Sequence, residues 1–257
     1  MRWGRCCTRE RAASGHVKEF LVLDRGLCSY AEALAFQREL AAKRISKEIA
    51  QDVLVLVEHP PVITLGRSTK QENLLFTPAL LEARGVELFE VERGGDVTFH
   101  GPGQLVGYPI VDLNEHKLDL HWYLRQVEEV MIRAVAPFGV TAERIPGKTG
   151  IWAPAGAGAP ARKLASIGVH ARQWVTWHGF ALNVTTDLSY FDLMVPCGLP
   201  GVEMTSVERE LLGRSGATLG LTPSPSIFDD LKMEVVRTFG AVFSRTPRSV
   251  AALSLTG

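Results

Sequence analysis

Between Arg93 and Tyr108 the chain reads RGGDVTFHGPGQLVGY, with five glycines and a proline, and no helix can run through such a stretch. Each interior glycine costs a helix about 1 kcal/mol and a proline about 3 kcal/mol. The run is therefore a loop system set between strand-type segments, Val86–Val91 before it and Gln104–Asp112 at its end. Glycines let the backbone adopt positive φ and turn bare N–H groups toward a ligand, which suits oxyanions and carbonyls. The run lacks both the G-x-G-x-x-G that opens a helix and the GK[ST] of a nucleotide loop. By composition it is equally a structural loop or a ligand-binding one.

The flanking chain alternates strand and helix signals without strict βαβ order. Phe20–Asp24 reads as a strand. Ser29 with Glu32 forms a capping box, opening a helix whose apolar face holds Ala33, Leu34, Phe36 and Leu40. Val53–Val57 is a continuous apolar run, hence a buried strand. Ile63–Leu65 is a short strand, and Thr77-Pro78 starts a short helix. A long helix is expected from Leu120 to Phe138, burying Trp122, Leu124, Val127, Val130, Met131, Ala134 and Val135. Strands follow over Gly150–Ala153, Arg162–Ala171 and Trp174–Val184, the last two as a hairpin turning near Ala171-Arg172-Gln173. Ser226 with Asp229 caps a final helix carrying Phe228, Leu231, Val235, Phe239 and Val242. The reading is one α/β (α+β) domain over residues 18–245, a mixed sheet flanked by helices. Residues 1–17 read as a leader or extension and 246–257 as a flexible tail.

The charge balance, 28 basic against 28 acidic side chains, gives no global field for nucleic acid or an anionic membrane. Cys6, Cys7, Cys28 and Cys197 show no CxxC spacing, so no metal site, cofactor or disulfide framework is indicated, and a reducing cytoplasm is the expected setting. No apolar run reaches the roughly 18 residues that a membrane span needs.

Two residues outside the glycine-rich run carry candidate chemistry. Cys197 sits in Pro196-Cys-Gly198, with Pro200 and Gly201 beyond, a rigid loop that can expose a thiol. Reactivity would require a thiolate, which a nearby cation favours. Lys163 opens the strand KLASIG. A lysine there is ordinarily a solvated edge residue; facing a pocket, it can steady a thiolate or serve as a base. His100, His170 and His178 fall in strand-like settings without a carboxylate partner at diagnostic spacing.

Taken in order, several segments resemble the lipoyl(octanoyl) transferases. They are Glu58–Arg67, Arg93–Gln104, Lys148–Trp152, Lys163–Gly168, His178–Asn183 and Val195–Leu199. The resemblance runs from about Phe20 to Phe243. It implies the biotin/lipoate protein ligase catalytic fold and a Cys197–Lys163 catalytic pair. It also implies substrate contacts at Arg93, Gly94, Gly95, Asp96, Val97, Thr98, Phe99 and His100, at Ser166, Ile167 and Gly168, and at Gly179, Phe180 and Ala181, with His178 in support. The activity it implies is transfer of octanoyl from octanoyl-acyl carrier protein to a lysine of lipoyl domains, those of 2-oxoacid dehydrogenases and the glycine cleavage H protein, through a cysteine thioester. An ATP-dependent lipoate or biotin ligase and a lipoyl-domain amidotransferase are the alternatives on the same fold. An apolar slot for the acyl chain is expected among Val97, Phe99, Leu164, Ile167 and Phe180. Arg67, Lys70, Arg93, Arg144 and Lys148 are candidate cations at its mouth, facing an acidic carrier.

Overall fold

The computed structural model describes residues 18–156, 158–198, 201–214 and 227–251, without the side chains of Cys197 and Arg214. The expected leader, the Ser226 cap and the chain beyond residue 251 lie outside the described residues. Ten strands and five α-helices are formed among those described. They are β1 (Glu19–Leu27), α1 (Tyr30–Ile45), β2 (Asp52–Glu58), β3 (Val62–Leu65), α2 (Pro78–Ala83), β4 (Glu87–Glu90), β5 (Thr98–His100), β6 (Gln104–Ile110), α3 (Leu120–Val135), β7 (Ile151–Ala153), β8 (Arg162–Arg172), β9 (Val175–Asn183), α4 (Val207–Arg214), α5 (Ile227–Phe243) and β10 (Thr246–Ser249).

Seven strands make a mixed sheet in the order β10-β1-β2-β6-β9-β8-β7, and β4-β3-β5 form a second, small sheet. Period-two alternation divides the apolar side chains between the two faces of the large sheet. Leu21, Leu23, Val53, Val55 and Val57 pack with Ala33, Phe36 and Leu40 of α1. Phe20, Val22, Leu54 and Leu56 pack with Val127, Val130 and Met131 of α3 and Leu231, Val235 and Phe239 of α5. Covering both faces explains why Val53–Val57 is apolar at every position. No helix among the described residues is long and apolar enough to cross a membrane.

Local chemistry sets most boundaries. Ser29 Oγ accepts from Glu32 N at 3.3 Å and donates to the Glu32 carboxylate at 2.7 Å, fixing the start of α1. The helix expected to reach Phe138 ends at Val135, because Pro137 cannot donate a helical hydrogen bond. A 3₁₀ turn over Ala136–Phe138 follows, closed by Gly139 at φ 82°. The β8–β9 hairpin turns on Gln173 and Trp174, both at positive φ (50° and 65°), so Trp174 belongs to the turn and not to the strand. Two such residues match the right-handed twist of the flanking strands. Trp122 and Leu124 of α3 are only half-buried, whereas Tyr123 and Glu128 are buried.

The tail expected from residue 246 is corrected over its first four residues. Thr246–Ser249 pair in parallel with β1, and Arg248 meets Glu19 at 3.0 Å. All four are exposed, so backbone pairing holds them there without any apolar alternation that sequence could display.

Candidate active site

Arg93, which opens the glycine-rich run, is 6% exposed and turned into the protein. Its Nη2 donates to Thr64 O at 2.7 Å and Thr64 Oγ1 at 2.8 Å, and Nε to the same hydroxyl at 3.2 Å. Gly94 N donates to Val169 O at 2.8 Å and Ser68 N to Gly95 O at 3.0 Å, so the loop is pinned between the end of β3 and the middle of β8. Gly168 is what permits this approach: a Cβ there would lie 2.9 Å from both Arg93 Cδ and Gly94 O. Arg93 is therefore a structural anchor and not a cation at a mouth. Arg144, held by Glu128 at 3.1 Å and Glu129 at 2.6 Å, is likewise engaged.

Lys163 is 3% exposed, which overturns the edge-residue reading. Its backbone is bonded on both sides to the 203–205 segment, Lys163 N to Glu203 O at 2.8 Å and Thr205 N to Lys163 O at 2.9 Å. Its Nζ lies 5.3 Å from the centroid of the Trp152 ring, the geometry of a cation–π contact.

The backbone of Cys197 lies in a 3₁₀ turn, Pro196–Gly198; its side chain is outside the described residues. That turn is clamped. Gly198 N donates to Val195 O at 3.0 Å, and Val195 N to Asn73 O at 2.9 Å. Gly198 adopts φ 63°, and a Cβ there would stand 2.4 Å from Asp96 Oδ2. Asp96 is itself fixed, accepting from Asn73 Nδ2 at 2.5 Å and from Val97 N at 2.7 Å. The cysteine turn therefore rests directly on the glycine-rich loop.

The glycine-rich loop, β8 and β9 line a cavity of about 350 Å³, at the small end of the roughly 300–1,000 Å³ of ligand pockets. Arg93, Gly94, Gly95, Asp96, Val97, Thr98, His100, Lys163, Ser166, Ile167, Gly168, His178, Gly179, Phe180 and Ala181 all line it. Phe99 does not. Strand alternation turns it to the other side of β5, where it stacks on Tyr190 at 4.4 Å. Leu164 packs in the core beneath α3 and α5. The expected acyl slot is thus corrected at both positions. His170 also lies away from the cavity, its ring 4.2 Å from that of Trp177.

The histidines around the cavity are kept neutral by burial. Desolvation lowers His59 to about 4 and, with the nearby His59 ring adding to it, His100 to about 3. His178 is also pushed down by burial. Its imidazole, 3.7 Å from Glu92, leads the interactions that hold the Glu92 carboxyl far below the usual carboxylate range, joined by Arg38 and Trp177 Nε1. Lys148, an expected mouth cation, lines the cavity with Gly147 and Val169, and so do Tyr30, Tyr108, Leu124 and Thr149, which were not singled out as site residues by sequence. Neither was Asn73, whose partnership with Asp96 has no local signature. Among the described residues no cluster of three or more His, Cys, Asp or Glu side chains could hold a metal ion.

The lipoyl protein ligase A/B catalytic domain matches residues 29–218. The octanoyltransferase of Acidobacterium capsulatum is 45% identical over 229 residues, covering 86% of this chain and 89% of that protein. That of Solibacter usitatus is 53% identical over 174 residues, covering 68% and 76%. A crystal structure of lipoate-protein ligase A bound with ATP superposes with a TM-score of 0.67 at 15% identity, covering 93% of this chain and 92% of that one. A bipartite lipoate protein ligase from Thermoplasma acidophilum gives 0.66 at 18% identity, covering 93% and 91%. At such identities the structural likeness shows a shared fold.

Proposed function

The chain belongs to the lipoyl protein ligase A/B catalytic-domain family and is an acyltransferase, and from that premise we propose that it moves octanoyl from an acyl carrier protein to lipoyl-domain lysines through a thioester on Cys197. The observation that carries this reading is the clamp between the cysteine turn and Asp96, together with the placement of Lys163 in the wall of the cavity that Asp96 also lines.

In the first half-reaction Lys163 takes the Cys197 proton, and the thiolate attacks the donor's thioester carbon. The carbon–sulfur bond of the donor breaks, and the carrier's thiolate leaves with the proton held by Lys163. Backbone N–H groups of the glycine-rich loop or of the cysteine turn face the developing oxyanion. In the second half a lipoyl lysine amine attacks the enzyme thioester, an N–C bond forms and Cys197 departs. Lys163 receives the amine's surplus proton and returns it to the thiolate. An amide is more stable than a thioester, so the cycle runs downhill without nucleotide. Val97, Ile167 and Phe180 supply apolar wall for the acyl chain, each buried methylene contributing about 0.8 kcal/mol. Lipoyl domains of 2-oxoacid dehydrogenases and the glycine cleavage H protein are the acceptors in this reading, and the cytoplasm its setting.

The test is transfer from octanoyl-carrier protein to an isolated lipoyl domain without any nucleotide. The reading predicts an octanoyl amide on the lipoyl lysine, lost in Cys197→Ser and Lys163→Met. A strict requirement for ATP with free octanoate as donor refutes it in favour of a ligase.

A further inference from the structure

A chain of side chains behind the cavity has a direction that can be read atom by atom. The Thr205 carbonyl can only accept, so Asn183 faces it through Nδ2, at 2.9 Å. Asn183 Oδ1 is thereby turned to Gln104, accepting from its Nε2 at 2.9 Å, while the same Nε2 donates to the Phe99 carbonyl at 3.1 Å. Gln104 Oε1 is left facing His100 Nδ1 at 2.8 Å. An amide oxygen accepts, so the imidazole proton is on Nδ1. Burial, reinforced by His59, Arg93 and His178, keeps the ring from taking a second proton. Nε2 of His100 therefore keeps its lone pair, on a ring that lines the cavity.

A second histidine repeats the logic. His59 Nδ1 faces the Cys28 carbonyl at 2.7 Å, so its Nε2 accepts the Tyr108 hydroxyl proton at 2.7 Å. Tyr108, another lining residue, thus has its own proton committed to the interior. Tyr30 closes the arrangement, stacked on the His100 ring at 5.9 Å. At His100 and Tyr108 this wall of the cavity offers lone pairs in place of protons. An acyl thioester carries no N–H or O–H at its reacting carbon and gains nothing from such acceptors, whereas an attacking amine does.

We propose that His100 Nε2 accepts an N–H of the acceptor lysine and aims the amine lone pair at the thioester carbonyl, with Gln104 and Asn183 as positioning residues that fix the tautomer. The inference rests on the thioester reading above and concerns its second half-reaction alone.

Two measurements test it. Long-range ¹H–¹⁵N correlation spectra of histidine-labelled wild-type protein should give His100 as the neutral Nδ1–H tautomer; an Nε2–H or doubly protonated ring at neutral pH overturns the proposal. In single-turnover reactions with octanoyl-carrier protein and then a lipoyl domain, His100→Phe should slow deacylation at least about tenfold more than acylation, the worth of one hydrogen bond in the transition state. Gln104→Met, which keeps the imidazole but releases its tautomer, should act in the same direction and less strongly. Equal slowing of both halves, or of neither, overturns the proposal. Failure of the wild type to form any octanoyl-enzyme refutes the thioester reading itself, and this proposal with it.

Discussion

Replacing Gly198 by alanine tests whether the glycine-rich loop positions the cysteine turn. At φ 63° the new side chain is strained, and its Cβ falls 2.4 Å from Asp96 Oδ2, a carboxylate tethered by Asn73 Nδ2 and Val97 N. The left-handed conformation costs a non-glycine residue about 1–2 kcal/mol, and disturbing a hydrogen bond to a charged group about 1.5–3 kcal/mol. The turn belongs to neither sheet, so the cost is met by displacing it. About 3 kcal/mol in favour of a displaced turn leaves roughly one molecule in a hundred with Cys197 in place. Rapid-quench measurement of octanoyl-enzyme formation should therefore show an acylation rate reduced on the order of a hundredfold, with the far-UV circular dichroism unchanged. Gly201→Ala is the control, since Gly201 has φ 75° but nothing within 4 Å of the added Cβ. Equal acylation rates in the two variants would refute the clamp.

Other consequences concern pH and chain length. Burial holds His59 at about 4 in the folded protein, whereas the unfolded chain takes up that proton near pH 6.5. The unfolded state binds more protons in that window, so stability falls as pH drops from about 6.5 to about 4; thermal melts of His59→Gln should show a shallower slope there. Glu92 is held low chiefly by His178, so its contribution is present above the ordinary carboxylate range and lost as pH falls below it. Glu92→Gln should accordingly lose less melting temperature than wild type on acidification from about pH 5 to about pH 2. A Cβ on Gly107 would stand 2.2 Å from Phe180 Cζ. Gly107→Ala should push that ring toward the cavity and shift preference to acyl donors shorter by about two methylenes, a change of about 1.6 kcal/mol read as a ratio of kcat/KM between hexanoyl and octanoyl donors.

Legibility from sequence followed the physics of each signal. Elements with strong periodicity or caps, such as α1 after Ser29 and the doubly covered β2, were readable because burial and capping write themselves into neighbouring residues. Strand β10 was not, because Thr-Pro-Arg-Ser is exposed and held by backbone alone. Helix α4 leaves little trace in sequence, because Val207–Arg214 is only eight residues long and mostly polar. The glycine-rich run was legible as a loop, yet its strand β5 was hidden within it. Placing Lys163 depended on tertiary structure: composition favoured a solvated edge, and the pairing of 203–205 against it buries it. Sequence groups Phe99 with its cavity-lining neighbours because a contiguous motif does not reveal which side chains a short strand turns away. Gln104 and Asn183 fall within segments that carry the resemblance, but their pairing across 79 residues, like that of Asn73 with Asp96, has no local pattern.

The most direct measurement is the intact mass of the protein after incubation with octanoyl-carrier protein, followed by peptide mapping. One octanoyl group, labile to hydroxylamine and located on the peptide containing Cys197, is the predicted result, and a lipoyl domain should discharge it. Absence of an adduct during active turnover, or an octanoyl group on any other residue that the lipoyl domain discharges, would contradict a covalent relay through that sulfur.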